Sequence, residues 1–311
     1  MPRRRVALAG ASGFVGSAVA AVLSDGHDVV PVSVPRLRSG ARTADDVRRA
    51  AGAEADARAD LVRQLVGVDV LVNAAGDPDA SSADEGALFG ANAVLPALLV
   101  AAATEAGVAR VVHVSSAVVQ NDRPTLDSSE EMVGFSPYSA SKVVAEEVLR
   151  SAAGVVVRYR PPSVHASGRR VTSMISRIAG SPAATVARPG DQPTPQALLP
   201  NVASAIAFLA TTDARPPAVV HHPSEGVTVT SLMSDLSGGR RPVRLPRAVA
   251  HAVVRAAKLV GRFHRPTAAN ARRVELLWLG QAQAPSWLTE AGWRPPVGRE
   301  GWRALGQEGP R

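Results

Sequence analysis

From Arg5 to Tyr159 the chain alternates short β-branched apolar runs with longer alanine-rich segments. That rhythm builds βαβ units, in which strands are buried on both faces and helices pack back onto a parallel sheet. The apolar runs predict strands over Arg5 to Ala9, Asp28 to Val34, Asp69 to Asn73, Arg110 to Ser115 and Val155 to Tyr159, with a short third strand ahead of Asp56. Between them the spacing predicts helices over Phe14 to Ser24, Asp60 to Val66, Ala83 to Ala106 and Pro137 to Ala153. The last has a strong start: Ser136 can cap it, and Pro137 suits the first helical position.

After Pro161-Pro162 the pattern loosens into pieces rich in Pro, Gly and Ser, with helices over Val171 to Ala179, Asn201 to Thr211, Arg247 to Arg262 and Ala268 to Gly280. The interval Ser181 to Leu199 holds four prolines and predicts a loop over the substrate side. We therefore expect a dinucleotide-binding domain over 1–165 and a smaller mixed substrate-binding lobe over 166–311, with some exchange of chain between them.

Composition narrows the classes. The 311 residues are 46% hydrophobic and 20% charged, as in a soluble globular protein. There is no cysteine, which excludes disulfides and thiolate metal sites. The Arg-rich start resembles a signal n-region, but glycines break the apolar run after Ala9, and no apolar stretch approaches the roughly 20 residues of a membrane span, so a cytoplasmic protein is expected. The net charge of +8 is uneven: from Arg240 onward there are 14 basic and 4 acidic residues. Few aromatics and no helix-turn-helix or zinc-finger spacing argue against nucleic acid. An anionic small substrate, an acidic membrane surface or a solvated arginine-rich face remain. The seven histidines show no metal-ligand spacing, no metal is expected, and no Gly-x-Ser-x-Gly elbow marks a hydrolase.

Two local patterns carry chemistry. Gly10-Ala-Ser-Gly13-Phe-Val-Gly16 follows a predicted strand and opens a predicted helix, the context in which glycines allow a tight turn, close approach of a pyrophosphate and helix-on-strand packing. At the end of the second strand Ser33 stands where an acid would bond a ribose, followed by Arg36 and Arg38, which favours NADP(H) over NAD(H). Asp56 is expected to reach the adenine or to start a helix. The second pattern is Tyr138-Ser-Ala-Ser-Lys142. Only two tyrosines and two lysines occur among 311 residues, yet one of each lies a helical turn apart. A phenol titrates near ~10 and exchanges protons at neutral pH only if a cation stabilises its phenolate, a task that suits an ammonium.

With Asn73-Ala-Ala-Gly76 and His113-Val-Ser115-Ser116 ending successive strands, residues 5 to 170 resemble the short-chain dehydrogenase/reductase superfamily, most closely its extended branch, the NAD(P)-dependent epimerase/dehydratase family. The resemblance implies a Rossmann-type doubly wound parallel sheet. It implies Tyr138 as general acid/base, its pKa lowered by Lys142, which also holds the nicotinamide ribose, and Ser116 as donor to the reacting oxygen. It further implies dinucleotide contacts from Gly10, Ser12, Gly13, Phe14, Val15 and Gly16, from Ala74, Ala75 and Gly76, and from Ser115, Pro161 and Val164; Asn92 is either such a contact or a backbone bond across the sheet. Homodimers through the helices at Ala83 to Ala106 and Pro137 to Ala153 are implied as well. Departures from the family pattern are Ser163 in place of an asparagine, His165-Ala166 in place of Tyr-Gly, and Asn201 in place of an acid; Arg169, Arg170 and Arg188 are free to supply phosphate contacts.

The expected activity is hydride transfer at a secondary alcohol or ketone of a sugar or sugar nucleotide, as a keto-sugar reductase. A 4-epimerase or dehydratase with retained cofactor, and a cofactor-binding regulator without turnover, stay open. Past Pro246, Arg247, His251, Arg255, Lys258 and Arg262 recur at helical spacing with Val249, Val253, Ala257 and Val260 opposite. Such a helix either packs its apolar side on the lobe core or approaches an anionic membrane or lipid-diphosphate-linked sugar.

Overall fold

The computed structural model describes residues 3–79, 82, 84–152, 154–261 and 265–307, without the side chains of 261–270. Ala83 and Ala153, expected helix ends, and Arg262 of the basic stripe lie outside the described residues. β1 (Arg5–Ala9) leads through α1 (Phe14–Ser24) to β2 (Asp28–Val32), and α2 (Ala44–Ala53) and α3 (Ala55–Leu65) precede β3 (Val70–Asn73). Next come α4 (Glu85–Phe89), a π-helical turn at Gly90–Val94, α5 (Leu95–Glu105), β4 (Arg110–Val114), β5 (Thr125–Leu126), α6 (Pro137–Leu149) and β6 (Val156–Arg160).

The second half holds β7 (Ser163–His165), α7 (Arg170–Ala179), β8 (Thr185–Ala187), β9 (Gln196–Leu198), α8 (Leu199–Thr211), β10 (Val219–His221), α9 (Val229–Leu236) and β11 (Val243–Leu245). It ends with α10 (Arg247–Gly261), α11 (Arg265–Leu279), β12 (Ala282–Gln283), α12 (Trp287–Glu290) and α13 (Arg299–Gln307). The expected loop at 181–199 thus contains two short strands, β8 and β9.

Six strands form one parallel sheet in the order β10-β6-β4-β3-β1-β2. Apart from the edge strand β2, its strands are buried and mostly β-branched, and helices cover both faces. One apolar layer joins the sheet to α2, α3, α5 and α6 through Val47, Leu61, Leu98 and Val144; the other joins it to α1 and α8 through Val19 and Ile206. The sixth strand and α8 both come from the second half of the chain. A third, smaller core around Ile175, Leu232 and Trp302 holds the remaining lobe together.

Two expectations are corrected. The third strand ahead of Asp56 is absent: Asp56 lies exposed in the first turn of α3, and the open edge of β2 is met by Gln64, whose amide accepts from Ser33 N at 2.8 Å and donates to Ser33 O at 3.1 Å. The helices implied at a subunit interface, α5 and α6, carry α2 and α3 packed on them within the chain, and most of their apolar residues are buried there. The run Glu85–Glu105 does reach membrane-spanning length and apolarity, contrary to the sequence estimate, but 78% of it is buried. Its hydropathy belongs to a core helix.

Candidate active site

The loops that carry the predicted chemistry all leave the carboxyl edge of the sheet, the edge where ligands of open α/β sheets bind. After β1, Gly10 has φ +81° and packs so tightly that a Cβ would stand 2.7 Å from Ala75 N. A Cβ on Gly16 would reach the Gly10 carbonyl at 2.0 Å, so helix and turn close only over hydrogen. The N-terminus of α1 has no side-chain cap and no acid in its first turn. By contrast Thr43 caps α2, and Ser136 and Thr228 form capping boxes on α6 and α9. Uncapped amides beside the exposed Ser12, Gly13 and Phe14 fit a phosphate, so the residues suit a dinucleotide.

The turn after β3 is shaped by Asn73, whose Oδ1 accepts from Ala75 N at 3.1 Å. Asn92, in the π-helical turn, then clamps Asp77 from both sides: Oδ1 accepts from its amide at 2.9 Å and Nδ2 donates to its carbonyl at 3.0 Å. The same Nδ2 lies 3.2 Å from Ser141 Oγ, which donates to the Tyr138 carbonyl. Asn92 therefore joins the loop over Gly76 to the first turn of α6. π-bulges recur at functional sites because they turn one side chain out of helical register.

On α6, Tyr138, Lys142 and Glu146 follow one another at i, i+4 and i+8 on the sheet-facing side. Lys142 is buried, with Nζ 3.3 Å from the Val114 carbonyl and 3.5 Å from where a Cβ on Gly76 would stand. Burial pulls its pKa down to about 8, against the opposing pull of Glu146 and Asp77. Tyr138 is half-buried. Burial raises its pKa, while a hydrogen bond with Ser116 and the Arg169 guanidinium lower it. The Lys142 ammonium donates to the Val114 carbonyl, and in the chain without cofactor the cation that lowers the phenol's pKa is Arg169. This arginine also lies over the Phe14 ring at 4.2 Å, so it spans from the glycine turn to the phenol.

Beneath this edge lies an ion network whose Glu146, Arg158 and Arg160 are buried and whose Glu130 reaches the surface. Glu146 accepts from Arg160 (Nη2 at 2.6 Å) and from Ser115 Oγ at 2.5 Å, and Glu130 takes both terminal nitrogens of Arg158 at 2.8 and 2.5 Å. Arg158 and Arg160 alternate with Val157 and Tyr159, so both enter the α6 face of the sheet. The Ser115 hydroxyl is thus bound into the interior, and the residue is 4% exposed. Ser116, one residue on, caps the 3₁₀ turn Ala117–Gln120 and faces Tyr138. His113 on the same face accepts from Asn73 through Nδ1, and burial holds its pKa well below the usual value.

The stretch after β2, expected to meet the adenosine, is built differently. Ser33 and Arg36 are exposed beyond β2, and no described residue pairs with Arg36. Arg38 forms a two-pronged pair with Asp84 at 2.5 and 2.9 Å, and Asp84 in turn caps α4. Asp56 sits on a helix in place of a strand end. Pro161 and Val164 are buried, with the Pro161 carbonyl held by Ala117 N, so they line the fold under the cleft.

A family model described as the NAD dependent epimerase/dehydratase family matches residues 6–220. The chain belongs to this family. No curated protein matches it. Among solved structures, a dTDP-4-dehydrorhamnose reductase from Bacillus anthracis in complex with NADP is 16% identical, with a TM-score of 0.62 over 98% of this chain and 99% of that one. A UDP-glucuronic acid 4-epimerase from Bacillus cereus in complex with NAD is 14% identical, with a TM-score of 0.62 over 98% and 96%. RMD from Pseudomonas aeruginosa, complexed with NADPH, is 19% identical, with a TM-score of 0.60 over 98% of each chain. At these identities the likeness establishes the Rossmann-like fold.

Where this member of the epimerase/dehydratase family departs from the pattern, the substituted residues are engaged. His165 bonds Gln196 at 2.7 Å and Thr172 at 3.1 Å and leans on Trp302, with Ser163 at 3.2 Å. Asn201 bonds both backbone groups of Val297 at 2.9 Å. Arg170 and Arg188 are exposed, and of the three arginines only Arg169 reaches Tyr138. Sequence reasoning missed Glu146, Arg158 and Arg160; the signal was an acid continuing the Tyr138–Lys142 stripe and two arginines alternating within a buried strand.

Proposed function

We propose that the protein is an NADP(H)-preferring oxidoreductase of the extended short-chain type that reduces a keto group on a sugar nucleotide. The observation that carries this reading is Ser116 facing Tyr138, with Lys142 one helical turn on, beside an uncapped glycine turn at the carboxyl edge of the sheet. Bound there, a nicotinamide dinucleotide supplies the hydride that the chain's own side chains lack. Gly10, Gly13 and Gly16 with the amides of α1 hold its phosphates. Lys142 meets its ribose, and Ser116 orients the substrate oxygen without bringing a charge of its own. Tyr138, whose raised pKa keeps the phenol protonated at neutral pH, gives its proton to that oxygen, which fits the reductive direction. Arg36, exposed beyond β2, is the arginine open to a 2′-phosphate.

A second reading is supported by Arg38. Because Asp84 holds it, one of two arginines expected at the 2′-phosphate is engaged elsewhere, which favours a retained NAD and an epimerase or dehydratase. Mass spectrometry of nucleotide released from the purified protein tests both. An empty protein that then oxidises NADPH with a 4-keto sugar nucleotide supports the reductase, and stoichiometric NAD that never exchanges overturns it. Tyr138→Phe that binds NADPH normally but leaves turnover intact would refute any catalytic reading.

A further inference from the structure

The basic helix α10 does not bury the side that its sequence pattern suggests. It packs lengthwise on α11 along a narrow seam, Ala250 and Val254, which are 0% and 3% exposed. The side expected to turn inward faces solvent: Val249 is 48% exposed, Val253 44%, Leu259 56% and Val260 56%. With Ala252 and Ala256, also exposed, these positions follow the i, i+3, i+4, i+7 spacing and form one continuous apolar stripe along the helix. Isolated apolar residues on a surface need no account, whereas a stripe of this length marks a contact.

Charge selects the occupant. Between Leu236 and Val274 the chain carries ten basic residues and no acidic one. Arg255 borders the stripe and is exposed, as are Arg241, Arg244 and Arg247 on the segment that leads into it. Lys258 and Arg272 are paired within the chain, Lys258 with Asp122 at 3.0 Å and Glu275 at 2.8 Å and Arg272 with Glu275 at 2.7 Å, and the Asp122 pair ties the helix to the loop that follows the Ser116 turn. A second copy docking by the same face would bring arginine against arginine with nothing to offset them. A negatively charged bilayer meets both features at once, since it receives the valines and leucine below the headgroups and pairs the arginines with phosphates.

We propose that α10 docks this protein peripherally on anionic membrane surfaces, its Val249–Val260 stripe in the interface and Arg255 at the headgroups. The inference is independent of the reaction carried out in the cleft. The test is flotation of the full chain with phosphatidylglycerol-containing vesicles and with pure phosphatidylcholine vesicles, alongside Val253→Glu/Val260→Glu and Arg255→Glu. These side chains are exposed, so circular dichroism and Tm should match the wild type. The wild type should float with the anionic vesicles only, and added salt should release it. The double glutamate should lose flotation, and Arg255→Glu should weaken it on the order of tenfold. Equal behaviour of wild type and double glutamate overturns the proposal, as does failure of the wild type to float. A dimer seen by light scattering that the double glutamate dissociates, with no vesicle binding, also overturns it and assigns the stripe to self-association.

Discussion

The two ends of the cleft obey different rules. At the proposed nicotinamide end the side chains are held in place: Asn92 bonds the Asp77 backbone and Ser141, Lys142 bonds the Val114 carbonyl, Ser116 faces Tyr138, and Glu146 with Arg160 lies beneath them. At the adenosine end the edge of the sheet has been rebuilt. Helices replace a third strand, Gln64 occupies the β2 edge, and Arg38 is taken by Asp84. Residue spacing read along one element survives folding, because a helix or strand fixes which side chains share a face. Spacing read across a loop does not, since the loop's path depends on what packs beneath it. A Cβ on Gly90 would stand 2.0 Å from the Leu37 carbonyl, which shows how closely the loop after β2 is pressed onto the π-helical turn.

The contrast breaks first at Tyr138. If the nicotinamide end is the chemical centre, Tyr138→Phe should lower kcat by about 10²–10⁴-fold while NADPH affinity stays within a factor of two or so, measured by initial rates and fluorescence titration. Loss of both together would mean that the ring serves the fold.

Glu146→Ala asks whether the buried network is what makes that end rigid. Removing the acid leaves Arg160 fully buried without its partner, and the expected loss of stability is about 3–5 kcal/mol. Denaturant unfolding measures it. A loss below about 1 kcal/mol would show that water or Ser129 compensates and that the network is not the support described.

Lys142 sharpens the comparison by its sign. With a folded pKa of about 8 against 10.5 for the free side chain, the folded chain binds fewer protons than the unfolded one between those values. Stability therefore rises with pH across that window, and below about pH 8 the whole cost of burying the ammonium is present. Lys142→Met should thus stabilise the cofactor-free protein by roughly 2–3 kcal/mol at neutral pH, with the gain vanishing above about pH 10.5. The same substitution should abolish turnover. A Tm difference that does not change between pH 7 and pH 10 would contradict it.

Much of this was legible in the sequence. Five strands of the main sheet, the glycine turn and the Ser136 cap were visible because each depends on local spacing, buried β-branched runs or a single capping side chain. The sixth strand, Val219–His221, was not, because three residues carry no period of their own and become a strand only beside β6. Helix α2 was missed although Thr43 and two acids announce its start, because its mean hydropathy is low and its few buried residues, Val47 and Ala51, matter only once α5 and α6 are in place. Which side of α10 turns outward stayed open in the sequence for the complementary reason. A wheel of valines and arginines says that two faces differ, but the seam with α11 decides which one is buried.

The smallest effect lies at the adenosine end and bears on the cofactor. Arg36 and Arg38 are equivalent in the sequence, yet in the fold Arg36 is exposed with no described partner, while Arg38 caps a chain of contacts through Asp84 to α4. If Arg36 alone meets the 2′-phosphate, Arg36→Ala should raise the NADPH Kd about tenfold, roughly 1.4 kcal/mol, and leave NADH unchanged. Arg38→Ala should instead weaken both cofactors slightly, by loosening the loop over Gly90. Equal losses from the two variants, selective for NADPH, would mean that the Asp84 pair opens on binding. The adenosine end would then be shaped for its ligand as fully as the nicotinamide end, and the contrast between them would hold only for the unliganded chain.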